Sequence, residues 1–371
     1  MTALLGPRQG GKTTLARQFS EGRPVVRFDL ESVPDQERLR NPELALGSLD
    51  GLVVLDEVQV MPELFAALRV LVDRPDCAAR FLILGSASPE IVRGASESLA
   101  GRVEFVELAG FELDEVGAGE WSRLWVRGGF PRAFLAASDE NSAAWREGFI
   151  RTFLERDVPQ LGMQVPPVAM RRFWTMLAHF HAQTWNASEL GRSMGLAHRT
   201  MRSYLDLLTG TFMIRQLQPW FVNTARRQVK APKIFLRDSG LLHSLLGLPN
   251  RHQILGHPRA GASWEGFVIE QVLSVVRTRD AYFWATHAGA ELDLLFFQGG
   301  RAFGVEAKLS EAPKVTRSMR SSIDVLGLQH LWVVHPGPHS YEMEDSISAL
   351  AAVDLPSLPD RVATLARLIR G

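Results

Sequence analysis

Apolar residues in the first hundred positions fall in short runs separated by longer amphipathic stretches. Thr2–Leu5, Val25–Leu30, Leu52–Asp56 and Phe81–Leu84 read as buried strands, with a helix from Lys12 to about Phe19 and further helical segments between the others. Strands alternating with helices predict an α/β fold on a parallel sheet. Beyond Glu107 the pattern loosens, punctuated by Gly117–Gly119 and by Gly128-Gly129-Phe130-Pro131. Helical periodicity returns from about Trp145 to Phe180, interrupted at Pro159 and Pro166-Pro167. Residues 187–209 predict a helix-turn-helix. Ser188 would cap a first helix over Glu189–Met194, Gly195-Leu196 would turn the chain, and His198–Leu208 has apolar positions at Met201, Leu205 and Leu208. Strands around Phe212–Leu217 and Lys233–Leu236 are placed to form a wing. The last third predicts a helix over Trp264–Arg277, then strands at Tyr282–Ala285, Leu292–Phe297, Ala302–Val305 and Leu331–Val334.

These shifts divide the chain into a first α/β domain (1–115), a helical connector (116–170), a winged-helix domain (171–250) and a last α/β domain (251–371). A length of 371 residues is more than one ordinary core accommodates. At 46% apolar and 22% charged residues the chain is expected to be globular. No apolar run is as long as a membrane span and no signal-peptide pattern opens the chain, so a cytoplasmic protein without a membrane partner is expected. The single cysteine, Cys77, excludes disulfide frameworks and cysteine-zinc sites. His179-x-His181 lacks companion ligands and reads as a helix-surface feature. A formal net charge of zero hides an asymmetry. Residues 1–150 hold 16 basic and 23 acidic residues, whereas 171–237 hold 11 basic residues against Glu189 and Asp206. The middle of the chain is therefore suited to an anionic partner.

Gly6-Pro7-Arg8-Gln9-Gly10-Gly11-Lys12-Thr13 matches the P-loop pattern, with a strand before it and a helix, entered through Thr14, after it. Glycines let backbone N–H groups curl around phosphates, and the helix N-terminus adds positive potential. Lys12 would bridge the terminal phosphates of ATP, and the Thr13 hydroxyl would ligate Mg2+. Val53-Val54-Leu55-Asp56-Glu57 supplies the second half, a buried strand ending in acids. Asp56 is placed for the metal, and Glu57 to orient or deprotonate the attacking water. Ser86 and Ser88 follow the next strand, where a polar side chain could sense the γ-phosphate; ordinary turn serines are the alternative. Arg102 is the candidate to stabilise transition-state charge, ahead of Arg93 and Arg132. A finger supplied by a neighbouring subunit would make the protein a homo-oligomer.

With these motifs the chain resembles the bacterial and archaeal AAA-like P-loop ATPases fused to a C-terminal domain of unknown function. The resemblance is carried by Gly6–Leu15, Leu55–Leu64, Leu84–Ser88, Ser98–Arg102, Gly128–Pro131, Thr152–Asp157 and Lys230–Leu241, nearly the whole chain. It implies an AAA-like ATPase core, a winged-helix segment and a restriction-endonuclease-like fold at the C-terminus. In that family a further segment precedes the P-loop strand and helps to cover adenine. Here the strand begins at residue 2, so either the natural start lies upstream or the base pocket is more open.

Gly299-Gly300 is a two-residue hairpin signal between Leu292–Phe297 and Arg301–Lys308. With these glycines as the turn, Gln298 pairs with Arg301, Asp293 lies opposite Glu306, Glu291 lies opposite Lys308, and alternation sets all four on one face. Facing carboxylates repel unless a cation sits between them. Asp…Glu-x-Lys on such a hairpin resembles the PD-(D/E)xK nucleases. That resemblance implies Asp293, Glu306 and, from the preceding helix, the additional acid Glu265 as residues for a second Mg2+ or Mn2+, and Lys308 as the group that orients or activates water. The alternative is a solvated acidic strand pair with a Glu291–Lys308 ion pair.

Arg192, Arg199, Arg202, Arg226, Arg227, Lys230 and Lys233 surround the helix-turn-helix. In a DNA reading, His198, Arg199 and Arg202 open the recognition helix while the wing arginines meet phosphates. In a protein reading, the basic face docks on the acidic first domain. The sequence thus predicts an ATPase that couples nucleotide state to a DNA-binding, Mg-dependent nuclease module. The alternative is a nucleotide-gated regulatory or scaffold ATPase whose C-terminal domain binds a partner and is not catalytic.

Overall fold

The computed structural model describes residues 1–87, 99, 101–161, 165–221, 231–286 and 289–368. Ser88, Arg93, Arg226, Arg227 and Lys230 lie outside these. The chain gathers into two compact units. The first comprises 1–110, 157–164 and 203–213, and the second 111–156, 165–202 and 214–371.

The first unit is built on five parallel strands: β1 (Thr2–Leu5), β2 (Val25–Asp29), β3 (Gly51–Asp56), β4 (Ala79–Gly85) and β5 (Glu104–Glu107), in the order β2-β3-β4-β1-β5. Their carboxyl ends share one edge, where ligands of such sheets bind. Side chains alternate across the sheet. Ala3, Leu5, Phe28, Val53, Leu55, Phe81 and Ile83 pack with Leu46, Leu64, Leu68 and Leu71 on one side. Leu4, Val54 and Leu84 meet Ala16 on the other. The predicted strands of this unit are all present, each within about two residues of its expected ends.

The second unit holds a nine-stranded mixed sheet. Its strands are β6 (Gln183–Thr184), β7 (Ile214–Pro219), β8 (Lys233–Leu236), β9 (Ala281–Ala285), β10 (Glu291–Gln298), β11 (Arg301–Ala307), β12 (Leu331–His335), β13 (Tyr341–Glu344) and β14 (Ile347–Ala351). The two strands expected to form a wing do pair, Ile214 with Leu236 through Leu217 with Lys233, but β7 also pairs in parallel with β9. They are therefore part of the C-terminal sheet. Helix Ala260–Val276 lies against this sheet through Trp264, Phe267, Val268 and Val272, packed with Leu294, Phe296, Phe303 and Val305.

The helix-turn-helix segment consists of helices Ala187–Met194 and His198–Gly210, with Gly195 at φ 67 between them. The cap is Asn186, whose side chain accepts the Glu189 N–H at 3.2 Å, rather than Ser188 two residues later. Asparagine accepts at this position as readily as serine. His181, expected on a helix surface, is 1% exposed and accepts the Leu236 N–H at 3.0 Å. Among the described residues no helix is long and apolar enough to cross a membrane.

Candidate nucleotide site and C-terminal acid pocket

The loop between β1 and helix Lys12–Phe19 lies at the carboxyl edge of the first sheet. Gly11 has φ 102, a conformation glycine adopts without penalty. The loop leaves no room for side chains at two other glycines. A Cβ on Gly6 would overlap the Leu108 carbonyl oxygen, and one on Gly10 would press on that of Pro7. The helix has no side-chain cap, so its first-turn amides are left for an acceptor from outside the helix.

Lys12 is buried, and its ammonium donates to Gly6 O (2.9 Å), Pro7 O (2.8 Å) and Ser86 Oγ (3.0 Å). Burial lowers its pKa to about 8, against the opposing pull of Glu57 and Asp56. The Thr13 hydroxyl donates to Asp56 Oδ2 at 2.9 Å, and the Glu57 amide donates to Asp56 Oδ1 at 3.0 Å. Burial also raises the Asp56 pKa, although the Thr13 bond opposes it. The adjacent hydroxyl and carboxylate are a hard-oxygen pair of the kind Mg2+ takes, so Thr13 and Asp56 fit the ion.

Glu57 sits at φ 58, ψ 47, a left-handed conformation uncommon for a residue with a side chain. Its carboxylate accepts from Gln59 Nε2 and from Ser86 Oγ (3.3 Å), while Gln59 Oε1 accepts the Ser86 N–H (3.2 Å). Ser86 therefore links Lys12 to Glu57. Arg8 turns away from the loop to Glu31, Asp157 (2.9 Å) and Gln160 (3.0 Å). Sequence reasoning missed Gln59, Glu31 and Asp157 as partners. Gln59 could have been found two positions beyond the acids.

Arg102 is not brought to this site. It precedes β5, whose Glu104 aligns with Thr2 at the amino end of β1, so it stands at the opposite edge of the sheet from the P-loop. There it holds Asp73 through two bonds of 2.8 Å. Arg102 is therefore no finger for the P-loop of its own chain.

In the second unit the β10–β11 hairpin has the expected register, Leu294 to Val305 through Gln298 to Arg301, with Gly299 and Gly300 at φ 60 and 75. Asp293 and Glu306 are 8% and 6% exposed, so the pair is not solvated. The Asp293 carboxylate accepts the Ala307 N–H at 2.9 Å. The ion pairs differ from expectation. Lys308 holds Glu306 at 2.7 Å, whereas Glu291 pairs with Lys233. Lys233 also holds Glu265 at 3.0 Å. Burial pushes Glu265 and Glu306 up to about 8, with the charge of Asp293 adding to the effect in each case. Among the described residues no three His, Cys, Asp or Glu side chains are gathered to hold a metal ion.

The basic block is partly spent inside the unit. Arg215 and Arg237 both hold buried Glu270. Arg192, His198, Arg199 and Arg202 are exposed.

The first unit has the fold and phosphate loop of a P-loop nucleotide-binding protein, and residues 1–117 match the model of the AAA domain. Residues 118–252 and 260–355 match two domains of unknown function, DUF8612 and DUF4143. The uncharacterized proteins Rv2008c of Mycobacterium tuberculosis and Mb2031c of Mycobacterium bovis are each 52% identical over 349 residues, covering 94% of this chain and 79% of theirs. The chain belongs to the same family as these two mycobacterial proteins. Among solved structures it is similar to a RuvB from Thermotoga maritima, at 16% identity and a TM-score of 0.28, over 58% of this chain and 81% of that one. A likeness of that size carries no argument.

Proposed function

We propose that the chain is a Mg2+-dependent ATPase. The observation that carries this reading is the joint arrangement of Lys12, Thr13, Asp56, Glu57 and Ser86 at one edge of the parallel sheet. The amides of the loop and of the first helical turn bind the phosphates, and Lys12 exchanges its carbonyl partners for phosphate oxygens. Thr13 and Asp56 would hold Mg2+, which would supply charge neutralisation on the terminal phosphates. Glu57 orients the attacking water and takes its proton, and Ser86 reports the state of the terminal phosphate to Glu57. Phosphate release by the full-length chain, with Mg2+ and with the metal chelated, tests this. Activity that depends on the metal and disappears in Lys12→Ala supports the reading, and equal activity in the two proteins rejects it.

The hydrolysis is read as driving the second unit. Exposed Arg192, Arg199 and Arg202 support a DNA-facing role for the helix-turn-helix, and the Asp293–Glu306 hairpin supports a nuclease-like C-terminal domain. The Lys233 ion pairs favour the second reading, a regulatory ATPase whose C-terminal domain binds a partner and cuts nothing. Incubation of wild type and Asp293→Ala with DNA and Mg2+ or Mn2+, with and without ATP, separates the two. Cleavage lost in Asp293→Ala supports the nuclease.

A further inference from the structure

Lys233 opens β8 and is 5% exposed. Its ammonium meets Glu265, from helix Ala260–Val276, and Glu291, from β10, and lies 5.5 Å from the centre of the Phe283 ring. Burial by itself would lower its pKa. The charges of Glu265, Asp293 and Glu291 more than offset that and hold it above the ordinary lysine value. Three carboxylates from two elements thus act on one ammonium delivered by a third. The chain holds only five lysines among 41 basic residues. A lysine is a compact point charge with three donors, able to meet carboxylates that converge from different elements. Beside this group, Glu306 pairs with Lys308 through Oε1, while its buried Oε2 has no hydrogen-bond partner among the described residues.

We propose that Lys233 is the resident cation of the C-terminal acid pocket and keeps a divalent metal away from Glu265, Glu291 and Asp293. Of the acids expected around an ion, Glu265 holds Lys233 directly, Asp293 adds its charge to that lysine, and Glu306 holds Lys308. A divalent ion against the same oxygens would place its charge beside a buried ammonium, where low local dielectric strengthens the repulsion. The tethered ammonium also loses no translational freedom on binding, whereas a free ion does. The pocket is therefore closed to metal-assisted phosphodiester chemistry while Lys233 is in place. This inference rests on the geometry of the second unit and stands independently of the ATPase reading.

The test is Mn2+ binding to the nucleotide-free full-length chain, followed by electron paramagnetic resonance. Wild type and Asp293→Asn are expected to bind Mn2+ alike. Lys233→Met keeps most of the side-chain volume and removes the charge. It is expected to gain a site at least about tenfold tighter than any in wild type, and a further Asp293→Asn change to remove that gain. A wild-type site lost in Asp293→Asn overturns the proposal, as does a folded Lys233→Met with no gain. If Lys233→Met fails to fold, the comparison of wild type with Asp293→Asn decides. Equal binding supports the proposal and unequal binding overturns it.

Discussion

Two buried lysines show how differently the two units use the same side chain. Lys12 and Lys233 are 4% and 5% exposed, yet Lys12 points at carbonyl oxygens and a serine whereas Lys233 points at carboxylates. Neutral acceptors and the more distant charges of Glu57 and Asp56 compensate the Lys12 charge only in part, and burial draws its pKa down to about 8. A phosphate arriving there would find a cation short of a counter-ion. The Lys233 charge is already satisfied from within. One lysine is prepared for an external anion, and the other completes an internal ion cluster. Burial alone therefore does not mark a functional lysine; the charge of its neighbours decides.

Exchanging each charge for an isosteric apolar stem should separate the roles most sharply. Lys12→Met is expected to lower the kcat/KM for ATP at least about a hundredfold, the size of loss seen when one preorganised electrostatic donor is removed. Its thermal unfolding should stay near wild type. Lys233→Met should do the reverse. Leaving Glu265 and Asp293 without their nearby cation should lower the melting temperature of the second unit, while ATP turnover at the first unit persists. Unfolding curves and phosphate release on both variants check this. If both lose turnover and stability together, the contrast between the lysines is broken.

The second prediction sharpens the Lys12 half. Because the free lysine titrates near 8 and phosphate binding requires the charged form, ATP binding takes up a proton above that pH. Affinity for ATP should weaken by up to about tenfold per pH unit above this value. A titration of a fluorescent ATP analogue across the range measures it.

The smallest effect concerns the acid pocket. Glu265 and Glu306 are held at about 8 instead of 4.5, so each binds its proton more tightly in the folded chain. Their contribution is complete below 4.5 and is lost as pH rises through 8. His181 and His243, driven by burial from 6.5 to about 3, act oppositely and reduce stability as pH falls below 6.5. On acidification the second unit should therefore gain stability from about pH 8 to about pH 6.5, stay level to about pH 4.5 while the two pairs of groups offset each other, and lose it below, by circular dichroism melts. Glu306→Gln should about halve the upper limb and leave the loss below pH 4.5 unchanged.

The contrast between the units also explains what the sequence made legible. A phosphate cradle is one continuous loop, so Gly6–Thr13 could be read directly, as could Asp56 and Glu57 at the end of one apolar strand. The hairpin register was legible because two adjacent glycines fix the turn. Contacts between distant segments were not. Asp157 reaches Arg8 from 149 residues away, and Lys233 comes from a strand to Glu265 on a helix 32 residues further on, so neither leaves a local periodicity to detect. The pairing of β7 with β9 left no local signal either, because β9 lies some 60 residues downstream. Arg102 was chosen from its neighbours in sequence, and only the parallel topology shows that it stands at the wrong edge.

The central claim is that Glu57 activates water at a P-loop site that binds ATP independently of it. Glu57→Gln keeps the side-chain size and removes the base. Rapid-quench measurement of a single turnover, alongside equilibrium binding of ATP with Mg2+, tests the claim most directly. The expected result is ATP affinity within about threefold of wild type and a hydrolysis step slowed at least about a hundredfold. Hydrolysis at the wild-type rate with ATP bound would contradict it.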